Sequence, residues 1–452
     1  MTGIPLIIAF VVAVVLMIIA ISKWKVHPFL SIMGVSVLLA LVAGIPLTDV
    51  PGVIGAGFSG TFSSIGIVII LGALIGSILE QTGAALKLAD MVVKLVGKKN
   101  PELALELMGW VVSIPVFCDS GFVILDPIRK ALVKRTGSSS VAATVALSAG
   151  LYISHVFIPP TPGPIAAANT LGIGDNLLLV IGLGVLCSIF PLAAGLVYAK
   201  FIGKKVKSKD ELVEAGEVVK TYEELVAGYG KLPGGFNALA PIIVPVILMA
   251  LGTIGKQLGV TGFALNLLTF LGTPIISLAV GTIFAIAQLA IAKKMGEFYK
   301  ITNDTLKTVG PILFVTAAGG VLGKVISSTT MVAYITENAN FLMNLGIFFP
   351  FLLAAILKTA QGSSTVAITT TAGIMAPMMV SLGLGTPALG ALTVMAIGAG
   401  AMTVSHANDS YFWVVTNFGE MTPDQGYKTQ TILTQVMGIA SIIGIFLVSL
   451  FF

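Results

Sequence analysis

Charge is what this chain has least of. Of its 452 residues, 25 are Lys or Arg and 20 are Asp or Glu, together 10%, against about 25% in soluble domains. That scarcity excludes a soluble globular enzyme. Cysteine is nearly absent as well. Cys118 and Cys187 both lie inside apolar stretches, so there is no disulfide framework, no metal-ligand spacing, no resident cofactor to expect and no redox compartment to read. Four motifs are also missing. No P-loop offers ATP a phosphate cradle, no Gly-x-Ser-x-Gly or His-Glu-x-x-His pattern suggests intramembrane hydrolysis, and no repeated filter-like loop suggests an ion channel.

What is present is hydrocarbon. Apolar residues make up 56% of the chain before its 51 glycines are counted, and the mean hydropathy is +1.03. Most of this sequence needs a lipid bilayer as its solvent, which predicts an all-α, polytopic membrane protein. The net charge of +5 sits in short connections between apolar runs, where basic residues orient helices, so nucleic acid is not an expected partner.

Runs long enough to cross roughly 30 Å of hydrocarbon at 1.5 Å per residue are Ile4–Ile21, Phe29–Ile45, Ile65–Leu79, Leu177–Ala199, Ala238–Ile254, Leu265–Ala292, Val309–Ile326 and Ile432–Phe451. The first has no basic residue before it and no small-residue cleavage pattern after it, so it reads as a retained span. Four further regions are interrupted: Leu103–Leu125, Val141–Leu171, Ile347–Val380 and Ala388–Phe418.

Lysines and arginines cluster at 23–25, 87–99, 129–135, 200–207 and 293–307. By the positive-inside rule these mark cytoplasmic loops, with the N-terminus outside. Leu103–Leu125 then has basic loops on both sides and cannot be a single crossing. It reads as a re-entrant hairpin turning near Cys118-Asp119-Ser120-Gly121, at a depth where irregular backbone is tolerated only against protein or a water-filled cavity. The polar stretch 203–237 reads as a cytoplasmic linker between an N-terminal half, 1–202, and a C-terminal half, 238–452.

The halves match in order. Gly72-x-x-x-Gly76 with Thr82 parallels Gly319-x-x-x-Gly323 with Thr329, Asp119-Ser120-Gly121 parallels Gly362-Ser363-Ser364, and Ser154-His155 parallels Ser405-His406. The charge pattern gives the two halves opposite orientations. An inverted-repeat transporter is therefore expected, with two re-entrant hairpins (103–125 from inside, 347–380 from outside) and two broken transmembrane helices (141–171 and 388–418).

Ionisable groups inside apolar runs are functional candidates because insertion costs them about 2.5–3.5 kcal/mol. Asp119, His155, His406 and Asp409 qualify, each with the alternative of a purely structural hydrogen-bonding role. His155 precedes Pro159-Pro160-Thr161-Pro162-Gly163-Pro164, which no helix can run through. Gln361, Gly362, Ser363, Ser364 and Thr365 suit a helix N-terminus that holds a carboxylate or a polyhydroxylated ligand. Asn169 is a weaker candidate.

These motifs together, Ile114-Pro115-Val116-Phe117-Cys118-Asp119-Ser120-Gly121-Phe122, Ser154-His155 with its proline cluster, Gln361-Gly362-Ser363-Ser364-Thr365 and Ser405-His406-Ala407-Asn408-Asp409-Ser410-Tyr411-Phe412, resemble the gluconate permease family over nearly the whole chain. The resemblance implies a multi-pass importer in the bacterial inner membrane, not an enzyme, carrying gluconate or a related sugar acid with protons. It also implies the ion transporter superfamily architecture, a homodimer and an elevator motion. The expected roles place the substrate carboxylate on Asp119, Ser120, Gly121 and Gln361–Thr365. Its hydroxyls fall to Ser410, Asn408 and Thr161, and the coupling proton to Asp119, Asp409, His155 or His406. A sodium-coupled carboxylate transporter, an anion channel and a membrane enzyme are the competing classes.

Overall fold

In hydrocarbon a backbone must satisfy its own polar groups, and helices do so within one segment. The computed structural model describes residues 3–96, 100–212, 232–257, 261–331, 334, 345–406 and 409–452, and every regular element among these is helical. Among the described residues seven helices are long and apolar enough to cross a membrane, or eight if one bent pair counts as a span.

The first half comprises α1 (Ile4–Ser22), α2 (Pro28–Ala43), α3 (Val50–Gln81), α4 (Ala84–Val96), α5 (Pro101–Val112), α6 (Cys118–Thr136), α7 (Ser140–Phe157), α8 (Pro162–Thr170) and α9 (Leu177–Ile202). The second comprises α10 (Gly235–Gln257), α11 (Gly262–Gly272), α12 (Pro274–Ile291), α13 (Phe298–Ser327), α14 (Phe348–Gln361), α15 (Ser364–Met375), α16 (Pro387–Met402), α17 (Ser410–Phe418) and α18 (Ile432–Ser449). The interrupted regions of the sequence become the helix pairs α5/α6, α7/α8, α14/α15 and α16/α17. Of the expected linker, residues 213–231 lie outside the described set.

Two expectations are corrected. Leu265–Ala292 is two helices, because Thr273 adopts φ −66°, ψ 139° ahead of Pro274, and a residue before proline is pushed out of the helical region. The 129–135 cluster is not simply a loop marker. α6 continues to Thr136, and Arg129 on it is fully buried, with Nε 2.6 Å from Asp126 Oδ1. Arg129 also donates to Ser140 Oγ at the start of α7 (2.6 Å) and to the Phe418 carbonyl at the end of α17 (3.2 Å), while Lys130 pairs with Glu420 at 3.0 Å. The far ends of α6 and α17 are thereby tied together.

Glycines set the close packing. A Cβ at Gly57 of α3 would stand 2.7 Å from Val321 Cα of α13, joining the two longest helices face to face. Farther along α3, Gly72 abuts the Pro160 carbonyl and Gly76 the Pro115 carbonyl. On α13, Gly319 and Gly323 abut Thr369 and Gly373 of α15. Small residues four apart let backbones touch without a driving force from water. Both motifs therefore brace an interruption or a hairpin limb. At the centre, every residue of α7 is buried, and α16 is buried from Gly390 to Met402.

Candidate substrate site

Three helices begin at one cavity. Phe117, Cys118 and Asp119 open α6, Ser363, Ser364 and Thr365 open α15, and Asp409, Ser410 and Tyr411 open α17; all nine line a space of about 370 Å³. Tyr152 and His155 of α7, Thr308 and Ile312 of α13 and Gly362 complete its wall. Each helix start carries unpaired N–H groups and about half a positive charge.

The local sequence explains the three starts. Gly362 sits at φ 89°, a left-handed conformation that ends α14 and is open to glycine. Ser363 then caps α15 through the Val366 N–H. Asp409 caps α17, its Oδ1 accepting from Tyr411 N at 3.1 Å. The chain enters α6 through Phe117 at ψ 141°, so Cys118 starts a new helix after the turn.

The two aspartates have different surroundings. Asp409 Oδ2 accepts from Lys358 Nζ at 2.7 Å, from Ser405 Oγ at 2.6 Å and from Tyr152 OH at 3.4 Å. Lys358, fully buried, also donates to the Gly362 carbonyl and stands 5.6 Å from the centroid of the Tyr152 ring. Asp119 meets neutral donors, Ser410 Oγ at 3.1 Å and Cys118 Sγ at 3.5 Å. The Ser410 contact joins the start of α17 to the start of α6.

Of the sequence candidates, Asp119, His155, Gly362, Ser363, Ser364, Thr365, Asp409 and Ser410 reach this cavity. His155 stacks on Tyr152 with an interplanar angle of 14°, and its buried Nδ1 has no partner among the described residues. Ser120 lines an adjoining cavity of about 230 Å³ that shares Phe117 and Thr308 with the first and continues past Glu80, Lys300 and Asp304. The others lie elsewhere. Gly121 packs on Leu151, Thr161 donates to the Ile158 carbonyl at 2.7 Å, and Asn169 donates to the Ile165 carbonyl at 2.9 Å. His406 Nε2–H donates to the Thr359 carbonyl at 3.0 Å. Gln361 ends α14, with its side chain outside what is described, and Asn408 lies outside the described residues.

Lys358 and Tyr152 are the residues that sequence reasoning missed. Lys358 is the one basic residue in the run Phe348–Gln361, but its place near the end of that run is where a lysine ordinarily reaches the interface, so the sequence carries only a weak signal for it.

Buried apolar helices around a half-open cavity that carries two carboxylates and several hydroxyls fit a membrane transport protein. The sequence matches the family described as GntP family permease over residues 4–451, and the chain belongs to that family. The inner membrane permease YgbN of Escherichia coli (strain K12) is 32% identical, with 97% of each chain covered. The low-affinity gluconate transporter of the same strain is 30% identical over 98% of each. The crystal structure of the Alcanivorax borkumensis YdaH transporter superposes with a TM-score of 0.63 at 16% identity, over 94% of this chain and 97% of that one. The chain is thus a permease of the membrane, not an enzyme.

Proposed function

We propose that this permease imports gluconate or a related small sugar acid together with protons across the bacterial inner membrane. The observation that carries this reading is the convergence of three helix starts and their hydroxyls on one cavity. Such a site holds a carboxylate by dipoles and a polyol by hydroxyls. The relative named a gluconate transporter supports the substrate class.

Charge bookkeeping supports proton coupling. The Lys358–Asp409 pair is internally neutral, which leaves Asp119 as the uncompensated charge facing the cavity. A sugar-acid anion entering beside it meets repulsion, which a proton on Asp119 removes. Substrate and proton then load together and leave together, the proton departing to the cytoplasm through the cavity past Ser120. Asp119 is accordingly the coupling residue in this reading, with Asp409 a fixed partner of Lys358. His155 and His406 are left to wall and scaffold the site.

The architecture belongs to the same proposal. Residues 1–202 and 238–452 are inverted repeats joined by the linker 203–237, the N-terminus faces outside, α5/α6 enters from the cytoplasm and α14/α15 from the outside. The protein works as a homodimer by an elevator motion. A sodium-coupled carrier is the second reading, favoured by the buried hydroxyls of Thr370 and Thr371 on the hydroxyl-rich α15, which have no partner among the described residues; replacing sodium by potassium during uptake separates the two.

The test is Asp119→Asn in proteoliposomes. Exchange of labelled gluconate for unlabelled should persist while proton-driven accumulation is lost. Undiminished accumulation would remove Asp119 from the coupling role.

A further inference from the structure

Glu106 lies on α5, the first limb of the hairpin that leads to Asp119. It is 1% exposed, and neither carboxyl oxygen has a hydrogen-bond partner among the described residues. One turn along the same face, Trp110 has its buried indole Nε1 unpartnered too.

The space for the carboxyl is made by a missing side chain. A Cβ at Gly195 of α9 would stand 2.7 Å from Glu106 Oε1, 3.0 Å from Ala149 Cβ of α7 and 3.5 Å from Met437 Sδ of α18. The helices around it are in backbone contact. A Cβ at Gly109 would come within 2.7 Å of the Leu147 carbonyl oxygen, and Gly150 abuts the Glu106 main chain. From α7 and α18 the carboxyl faces Ala149 and Met437, and from α9 the charged group acting on it is Lys200, beyond Gly195 on that helix. α4 and α6 also pack on α5; of their charged side chains, Lys87 and Lys94 pair with Asp90 and Arg129 and Lys130 with Asp126, and among the described residues none hydrogen-bonds Glu106.

An ionised carboxylate here would have both oxygens stripped of water and no donor in their place, at a cost of several kcal/mol. The neutral acid avoids that cost. We propose that Glu106 is a proton-binding site: it holds a proton while α5, α7 and α9 pack as described, and releases it to water as a carboxylate when the hairpin limb separates from them. This inference rests on the proton-coupled reading above. Because α5 runs through the turn at 113–117 into Cys118 and Asp119, the packing that keeps Glu106 dry also holds Asp119 at the cavity. The two protonation events are coupled through one limb, and more than one proton accompanies each substrate anion.

Glu106→Gln keeps the shape and removes the proton. Labelled gluconate exchange across a pH series, and the charge moved per gluconate at a clamped potential, are compared with wild type in proteoliposomes. The variant is expected to exchange substrate, to lose one titration step from its pH profile and to move one elementary charge fewer per gluconate. An unchanged profile and charge ratio would overturn the inference and make Glu106 a permanently neutral acid. Should the variant not fold, hydrogen exchange in wild type decides. Amide exchange in Pro101–Val112, corrected for its intrinsic pH dependence, should accelerate with rising pH while α2 does not, and a flat profile overturns the inference. Wild-type uptake indifferent to a proton gradient overturns both this and the preceding proposal, whereas proton-driven uptake with an unaltered variant overturns this one alone.

Discussion

Lys358 Nζ lies 2.7 Å from Asp409 Oδ2, joining the end of α14 to the start of α17 across 51 residues of sequence. Both side chains are almost wholly buried, at 0% and 7% exposure. The ammonium also holds the Gly362 carbonyl at the hairpin tip, so one cation fixes the starts of α15 and α17 relative to each other. Removing one partner of a buried pair leaves a charge uncompensated and costs about 3–5 kcal/mol, whereas replacing both is often near neutral. Lys358→Met and Asp409→Asn should therefore each lower the unfolding midpoint of the purified protein substantially, and the double variant should recover most of the loss. Additive losses in thermal or denaturant unfolding would show that the pair does not act as a unit.

The glycines of α3 give a second prediction. Gly72 faces the Pro160 carbonyl, with an added Cβ only 2.7 Å from it, while Gly60 on the same helix has nothing within 4 Å. Gly72→Ala should displace the break between α7 and α8 and cost about 1–3 kcal/mol by overpacking. Gly60→Ala should be neutral or slightly stabilising, since alanine is the better helix former. Unfolding midpoints and initial uptake rates of the two variants check this, and equal behaviour would argue against tight bracing.

Glu211 lies beyond the spans and supplies a pH dependence. Burial alone would push its carboxyl up, but hydrogen bonds from Ser139 Oγ (2.8 Å) and Val141 N (3.2 Å), with Lys207 at 3.1 Å, outweigh it and hold the group below the ordinary carboxylate range. A carboxyl depressed on folding stabilises above its unfolded pKa, and that contribution disappears as pH falls through the folded value. Glu211 caps α7, so Glu211→Gln should cost about 1 kcal/mol near neutrality. The gap between variant and wild type should close in acid, as read from unfolding midpoints across pH.

Much of this architecture was legible because hydrocarbon leaves few options. Apolar run length located most of the helices, and the proline cluster around Pro162 located the break between α7 and α8. Asp119, Ser363 and Ser410 stood out as polar groups in apolar surroundings. Lys358 did not, because a lysine near the end of an apolar run ordinarily snorkels to the interface, and only a partner 51 residues away reveals that it stays buried. Arg129 was hidden by the same logic: its partners Ser140 and Phe418 belong to other helices. Thr161 and Asn169 lie away from the cavity and donate to nearby carbonyls, as short polar side chains commonly do.

In the proposed mechanism the cavity between the three helix starts takes up a sugar-acid anion only with a proton. The direct measurement is uptake of labelled gluconate into proteoliposomes under an imposed inward proton gradient, with sodium varied and an uncoupler added. Accumulation above equilibrium that collapses with the uncoupler and ignores sodium is expected. Accumulation that persists without a proton gradient, or that requires sodium, would contradict this mechanism.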